Sequence, residues 1–184
     1  MRPLFLLGLA TSASFAELKP DPAKAGPEII SEASARLIAA LTDAIAKHGP
    51  ASSIGVCSER APEIATAVGK AHGVILRRAS EKPRNPRNAA NDTEKAILKT
   101  FNASIGKTES PKAHAITRPD GSTTFVAPIV LANPLCLQCH GMPDRDVAPA
   151  TLTAIRTLYP NDKAYGYKVG ELRGLWSVTF PAGD

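Results

Sequence analysis

Hydrophobic residues recur with a helical period over much of the chain. Between residues 28 and 47 they fall on one stripe of a helix, formed by Ile29, Ala33, Leu37, Ala40, Leu41, Ala44 and Ile45. The sequence His48-Gly49-Pro50 follows this stripe and predicts the end of the helix. Further helices are predicted over residues 61–72, 91–104 and 149–158, each with capping residues, glycine or proline at its ends.

Strands are predicted where short apolar segments lie between turn residues. Residues 74–79 and 172–180 each predict one strand, and residues 113–118 and 123–131 predict a hairpin around Pro119-Asp120-Gly121. The segment SEKPRNPRN at residues 80–88 contains two prolines and two asparagines, which predict an irregular loop. Helices interleaved with a hairpin and a terminal strand indicate an α+β fold, with helices packed on one face of a small antiparallel sheet.

The first sixteen residues, MRPLFLLGLATSASFA, have the features of a secretory signal peptide. Arg2 precedes a short apolar run, and Ser14-Phe15-Ala16 places small residues at the spacing of a cleavage site. The alternative is an uncleaved anchor, but the run is too short to span a bilayer. We therefore expect cleavage after Ala16, a flexible leader over residues 17–27, and one domain over residues 28–184. Its predicted location is a bacterial periplasm.

The composition of the 184 residues, 43% hydrophobic and 21% charged, is that of an ordinary soluble protein. The formal net charge of +5 falls by one when Arg2 leaves with the signal peptide. No dense run of lysine and arginine with interleaved aromatics is present, which argues against nucleic-acid binding. This mild positive charge suits an acidic partner or an anionic cofactor. No second stretch has the length and apolarity of a membrane span.

The stretch CLQCH, residues 136–140, carries the most specific chemistry in the sequence. It is typical of covalent haem attachment, in which two thiols add to the vinyl groups and the adjacent imidazole binds the iron. A dithiol redox pair would need a thioredoxin-like βαβ context that is missing here. Structural zinc would need Cys57 and a histidine to complete the ligand set, and chance occurrence is rare. Because haem c is attached outside the cytoplasm, the predicted export favours haem.

The opposite face of the iron requires a second ligand, from a distant part of the chain. Methionine is the usual choice in electron-transfer cytochromes, but Met1 leaves with the signal peptide and Met142 lies only two residues from His140. The remaining candidates are Cys57, His48, His72, His114, a lysine and an open position. Iron binding would account for the odd third cysteine, Cys57. The chemistry alone leaves Cys57 and the histidines open.

Four segments are more specific than the CxxCH motif alone: IGVCSERAPEIA at 54–65, RRASEKPRNPRN at 77–88, PLCLQCHG at 134–141 and DKAYGYKVGELRG at 162–174. Together they resemble a family of small c-type haem proteins with a PAS-like fold, formerly regarded as a domain of unknown function. The resemblance implies one haem held by Cys136 and Cys139, with His140 and Cys57 as axial ligands. The family's domain also forms the sensing part of longer signalling proteins. Because no signalling segment follows Phe180, we expect any sensory role to need a separate partner.

Four arginines lie within eleven residues, in or beside the predicted loop: Arg77, Arg78, Arg84 and Arg87. The planar guanidinium group suits pairing with carboxylates, so we expect this group to supply the contacts to the haem propionates. The alternative is a solvated basic loop. Asn85 and Asn88 are expected to stabilise the backbone of the loop itself.

These features predict an exported redox protein with one covalent haem c and an unidentified redox partner. A thiolate ligand donates charge to ferric iron, which predicts low-potential electron transfer or redox poising. The alternative is a redox or gas sensor for NO or CO, if Cys57 leaves the reduced iron. We do not predict an enzyme, because no catalytic triad, carboxylate pair or phosphate loop is visible. Peroxidase-like activity would also need an open position on the iron.

Overall fold

Four strands form one antiparallel sheet in the order β1-β4-β3-β2. Their bounds are β1 (Ile75–Ala79), β2 (His114–Thr117), β3 (Thr123–Val130) and β4 (Leu172–Phe180). The structure is a computed structural model that describes residues 20–107 and 109–182, without the side chain of residue 57. The predicted signal peptide, residues 1–16, and its cleavage site lie outside the described residues.

The helices lie before, between and after the strands. They are α1 (Pro22–Ser52), α2 (Ile54–Ser58), α3 (Arg60–Ala71), α4 (Asp92–Gly106), α5 (Leu137–His140) and α6 (Pro149–Leu158). Two short 3₁₀ turns, Pro86–Asn88 and Pro134–Cys136, interrupt the loops. No helix in the described part of the chain combines the length and apolarity needed to cross a membrane.

Both faces of the central strand β4 are buried, because side chains alternate across a strand. On one face its side chains pack with α1, α3 and β3, in a core of Ile29, Ala33, Val68, Phe125, Trp176 and Val178. On the other face they pack with α4, in a core of Leu98, Phe101, Val126 and Leu175. The α+β class and the PAS-like antiparallel sheet are confirmed. The helices α1 and α3 share one face, as predicted, whereas α4 lies against the opposite face.

The first helix begins earlier than the sequence predicts. Asp21 caps it, because its carboxylate accepts the N–H of Ala23 at 2.9 Å, and Pro22 suits the first turn. Residues 22–27 are therefore helical, and the prediction of a flexible leader up to residue 27 is wrong there. The predicted break is present within α1, where Gly49 has a φ of 74° and a ψ of 169°.

Helix α4 begins with a capping box, as the sequence predicts. The Asn91 side chain accepts the N–H of Glu94, and the Asn91 N–H donates to the Glu94 carboxylate, both at 2.9 Å. We expect Asn91→Ala to lower the free energy of unfolding by about 1 kcal/mol, because it removes this acceptor. Urea denaturation measures the change. Asn161→Ala, at an exposed turn position, is the control and should leave the midpoint unchanged.

Candidate functional site

A cavity of about 310 Å³ lies between α1, the sheet and the CLQCH segment. Its volume is within the roughly 300–1,000 Å³ common for cofactor sites. The wall formed by α1 is one apolar stripe of Leu37, Ile38, Leu41 and Ile45. Ile129 and Trp176 contribute to the opposite wall from the sheet, and Cys136, Cys139 and His140 also line the cavity. The structure therefore brings all three residues of the predicted attachment motif to one largely apolar cavity.

The CLQCH segment is built on two short turns. Asn133 caps the first, because its side-chain oxygen accepts the N–H of Leu135 at 2.9 Å. Helix α5 follows at once, and positions three residues apart lie on the same side of a helical turn. This local geometry explains why Cys136 and Cys139 both face the cavity. No disulfide joins these two thiols.

The imidazole of His140 is fixed by a single backbone acceptor. Its Nδ1 lies 2.8 Å from the carbonyl oxygen of Ala164. Because a carbonyl can only accept, Nδ1 carries the proton, and Nε2 keeps its lone pair. Burial, reinforced by the charges of Arg84 and Arg173, holds the pKa of His140 well below its usual value. A neutral imidazole whose second nitrogen donates to a carbonyl has the arrangement found in metal-binding histidines.

The segment that supplies Ala164 also holds the backbone around His140. The N–H of Tyr167 donates to the carbonyl of His140 at 3.0 Å, and the N–H of Gly166 donates to that of Gly141 at 2.9 Å. The Tyr167 ring meets the imidazole edge-on, with the ring centroids 6.4 Å apart. A φ of 80° at Gly166 allows this tight turn. These contacts give the Tyr-Gly-Tyr stretch at 165–167 a structural role in supporting His140.

Arg84 connects this segment to the attachment motif. Its Nη2 donates to the carbonyl oxygen of Cys139 at 2.5 Å, to the carboxylate of Asp162 at 3.1 Å and to the carbonyl oxygen of Ala164 at 3.3 Å. The residue is only 6% exposed and lines the cavity. Its Nε and Nη1 are buried and have no hydrogen-bond partner among the described residues. Buried guanidinium nitrogens require an acceptor, so a carboxylate-bearing cofactor fits this wall.

Two of the four predicted arginines line the cavity and two do not. Arg78 lines the cavity and lies 5.6 Å from the ring centroid of Trp176. Arg77 points to the other face of β1, where it pairs with Glu94 at 3.4 Å. Arg87 is exposed on the 3₁₀ turn. Thus Arg78 and Arg84 reach the cavity, whereas Arg77 and Arg87 do not.

A fifth arginine, which sequence reasoning missed, also lines the cavity. Arg173 comes from β4, and its Nη1 donates to the Oγ of Ser80 at 2.8 Å. The sequence feature that could have identified Arg173 is its position in the segment 162–174, between Leu172 and Gly174. Asn85 also lines the cavity, and its side chain accepts the N–H of Arg87, which stabilises the loop as expected.

The histidines considered as second ligands lie away from the cavity lining. His48 is exposed on α1, His72 pairs with Glu32 at 2.8 Å, and His114 packs edge-on against Phe101. Cys57 belongs to α2, whose first residue, Ile54, lines the cavity. The side chain of Cys57 lies outside the described part of the structure.

Comparisons with known proteins identify a family and a similar solved structure. A family model described as Tll0287-like matches residues 16–181. Among solved structures, the crystal structure of the cyanobacterial heme-protein Tll0287 matches with a TM-score of 0.61 and 27% sequence identity. The match covers 88% of this chain and 97% of that chain. A search of curated proteins gives no significant match.

Proposed function

The chain belongs to the Tll0287-like family, and on this premise we propose that it is an exported electron-transfer or redox-poising protein with one covalent haem c. The resemblance to c-type haem proteins with a PAS-like fold is confirmed, and the chain is a haem-binding protein. The observation that carries the proposal is the state of His140 at the cavity. Its protonated Nδ1 is held by Ala164, which leaves the Nε2 lone pair available for the proposed ligand role beside Cys136 and Cys139.

The residues present fit this cofactor in three ways. Cys136 and Cys139 would form the thioether links, and His140 would bind the iron through Nε2. The apolar stripe of α1 and Trp176 would exclude water from the porphyrin faces. Arg84 would supply donors to a propionate through its buried nitrogens. When bound, haem iron supplies one-electron exchange between its ferric and ferrous forms.

We propose Cys57 as the second axial ligand. Its position in α2 is three residues after Ile54, and such positions share one side of a helix. Ile54 lines the cavity, and this shared helix position supports Cys57 as the proposed ligand. The positions of His48, His72 and His114 away from this cavity also favour Cys57.

Electron transfer suits a site in which the chain holds its ligand rigidly. The Nδ1–H of His140 and its backbone carbonyl are both fixed by the segment 164–167, which limits movement of the imidazole. A thiolate opposite the imidazole would favour the ferric state and give a low potential. We also propose that the protein is located in the periplasm and exchanges electrons with a separate redox partner.

The test is a redox titration of the protein after export from a host that attaches haem c. Intact mass should show one haem on the mature chain, and we expect a clearly negative midpoint potential because a thiolate stabilises ferric iron. A colourless protein without added mass would contradict haem attachment. A clearly positive midpoint potential in protein that carries haem would contradict thiolate ligation but not haem attachment.

A further inference from the structure

We infer that Arg84, Arg173 and Arg78 form a dicarboxylate site that holds both haem propionates against the inner wall of the cavity. This inference rests on the proposed haem binding and extends it to the orientation of the cofactor. The three arginines come from different parts of the fold, namely the loop 80–88, β4 and β1. Among the described residues that line the cavity, they are accompanied by no aspartate or glutamate. The wall therefore presents the planar donor groups with which carboxylates of a bound cofactor would pair.

Arg84 is the centre of this site. All of the hydrogen bonds that Arg84 makes to the described residues leave from Nη2, so Nε and Nη1 remain as buried donors. Its ion pair with Asp162 also leaves from Nη2 and so does not use these two nitrogens. Buried donors of a cation that lack acceptors destabilise the protein, and a propionate oxygen would supply the missing acceptor.

Arg173 is held in place by Ser80 and Tyr167. Ser80 Oγ accepts from Nη1 of Arg173 and donates to the Arg173 carbonyl oxygen, both at 2.8 Å. The guanidinium carbon lies 5.5 Å from the centroid of the Tyr167 ring. Burial lowers the pKa of Arg173, and the positive charges of Arg84 and Arg78 act in the same direction. A carboxylate between these cations would relieve their mutual repulsion.

Arg84 also connects this site to the axial histidine. Its Nη2 and the Nδ1–H of His140 both reach the carbonyl oxygen of Ala164, at 3.3 and 2.8 Å. A cation on this oxygen weakens it as an acceptor, so the imidazole donates less electron density to the iron. Loss of Arg84 should therefore stabilise ferric iron by two routes. The propionate would lose a positive partner, and His140 would donate more electron density to the iron.

The experiment uses the exported holoprotein with Arg84→Gln, Arg173→Gln and the control Arg87→Gln. Arg87 belongs to the same loop but is exposed and outside the cavity. Intact mass measures covalent haem, resonance Raman spectra measure the propionate bending bands, and titration measures the midpoint potential. We expect Arg84→Gln and Arg173→Gln to retain haem, shift these bands and lower the potential, Arg84→Gln by more. Arg87→Gln should match the wild type.

Two outcomes separate this inference from the function on which it rests. If Arg84→Gln and Arg173→Gln retain haem but match Arg87→Gln in bands and potential, the propionates bind elsewhere and the inference is wrong. Wild-type protein without haem would instead overturn the proposed function. Should Arg84→Gln not accumulate, Arg173→Gln alone decides the question, and Arg84→Lys should give a smaller shift because it keeps the charge.

Discussion

We expect the double variant Cys136→Ala/Cys139→Ala to contain no covalently attached haem after export, whereas the wild type contains one per chain. Both thiols line one cavity beside His140, and three-residue spacing places them on the same side of a turn. Each sulfur would form one thioether, so removing both leaves only non-covalent contacts. Intact mass under denaturing conditions measures the loss, because a denatured chain keeps covalently linked haem and releases haem that is bound only by non-covalent contacts.

The single variants and a third cysteine provide the controls for this result. Cys136→Ala and Cys139→Ala should each keep one thioether link. Their haemochrome spectra should be shifted from that of the wild type, since one unmodified vinyl group remains. Cys57→Ser should keep the full covalent haem content, because Cys57 is proposed to bind iron and not the porphyrin. Haem that stays on the denatured double variant would show that attachment uses other residues.

Elements with strong local signals could be predicted from the sequence. Helix α6 and strand β4 have the predicted bounds, Pro149–Leu158 and Leu172–Phe180. Proline at the first helical position defines the start of α6, and apolar residues define β4 on both faces. The start of α1 was not predicted, because residues 17–27 are rich in proline and lysine and their composition is typical of a loop. The capping residue Asp21 lies within this segment.

The site was predictable only where its residues are neighbours in sequence. Cys136, Cys139 and His140 lie within five residues, so one motif identifies them together. Arg77 and Arg78 could not both reach one cavity, because adjacent strand residues point to opposite faces. Which of the two does so depends on the pairing of Arg78 with Trp176 across β1 and β4. That pairing depends on the tertiary structure, as do the contacts that place Arg173 at the cavity, so neither could be predicted from the sequence.

The second large effect is expected for Cys57→Ser. If Cys57 supplies the thiolate, the variant should lose the low-spin thiolate signature in its ferric EPR and absorption spectra. Its midpoint potential should rise, because a serine hydroxyl donates much less charge to ferric iron than a thiolate does. Ferric EPR and redox titration of the exported protein measure both changes.

His48→Ala is the matched control for this variant. His48 is exposed on α1 and does not line the cavity, so its removal should leave the ferric spectra and the potential unchanged. An unchanged spectrum in Cys57→Ser would exclude Cys57 as the ligand. A changed spectrum in His48→Ala would mean that this part of α1 approaches the iron in the holoprotein.

Carbon monoxide then separates electron transfer from gas sensing. We expect the ferrous Cys57→Ser protein to bind CO, because loss of the sulfur opens one position on the iron. In the wild type, retention of Cys57 on ferrous iron would block CO, and an unchanged spectrum would support electron transfer. A CO-induced shift in the wild type would show that the thiolate leaves on reduction, which favours a sensor. The support of His140 by Ala164 and Tyr167 favours the proposed Cys57 ligand, and not His140, as the one that such an exchange would release.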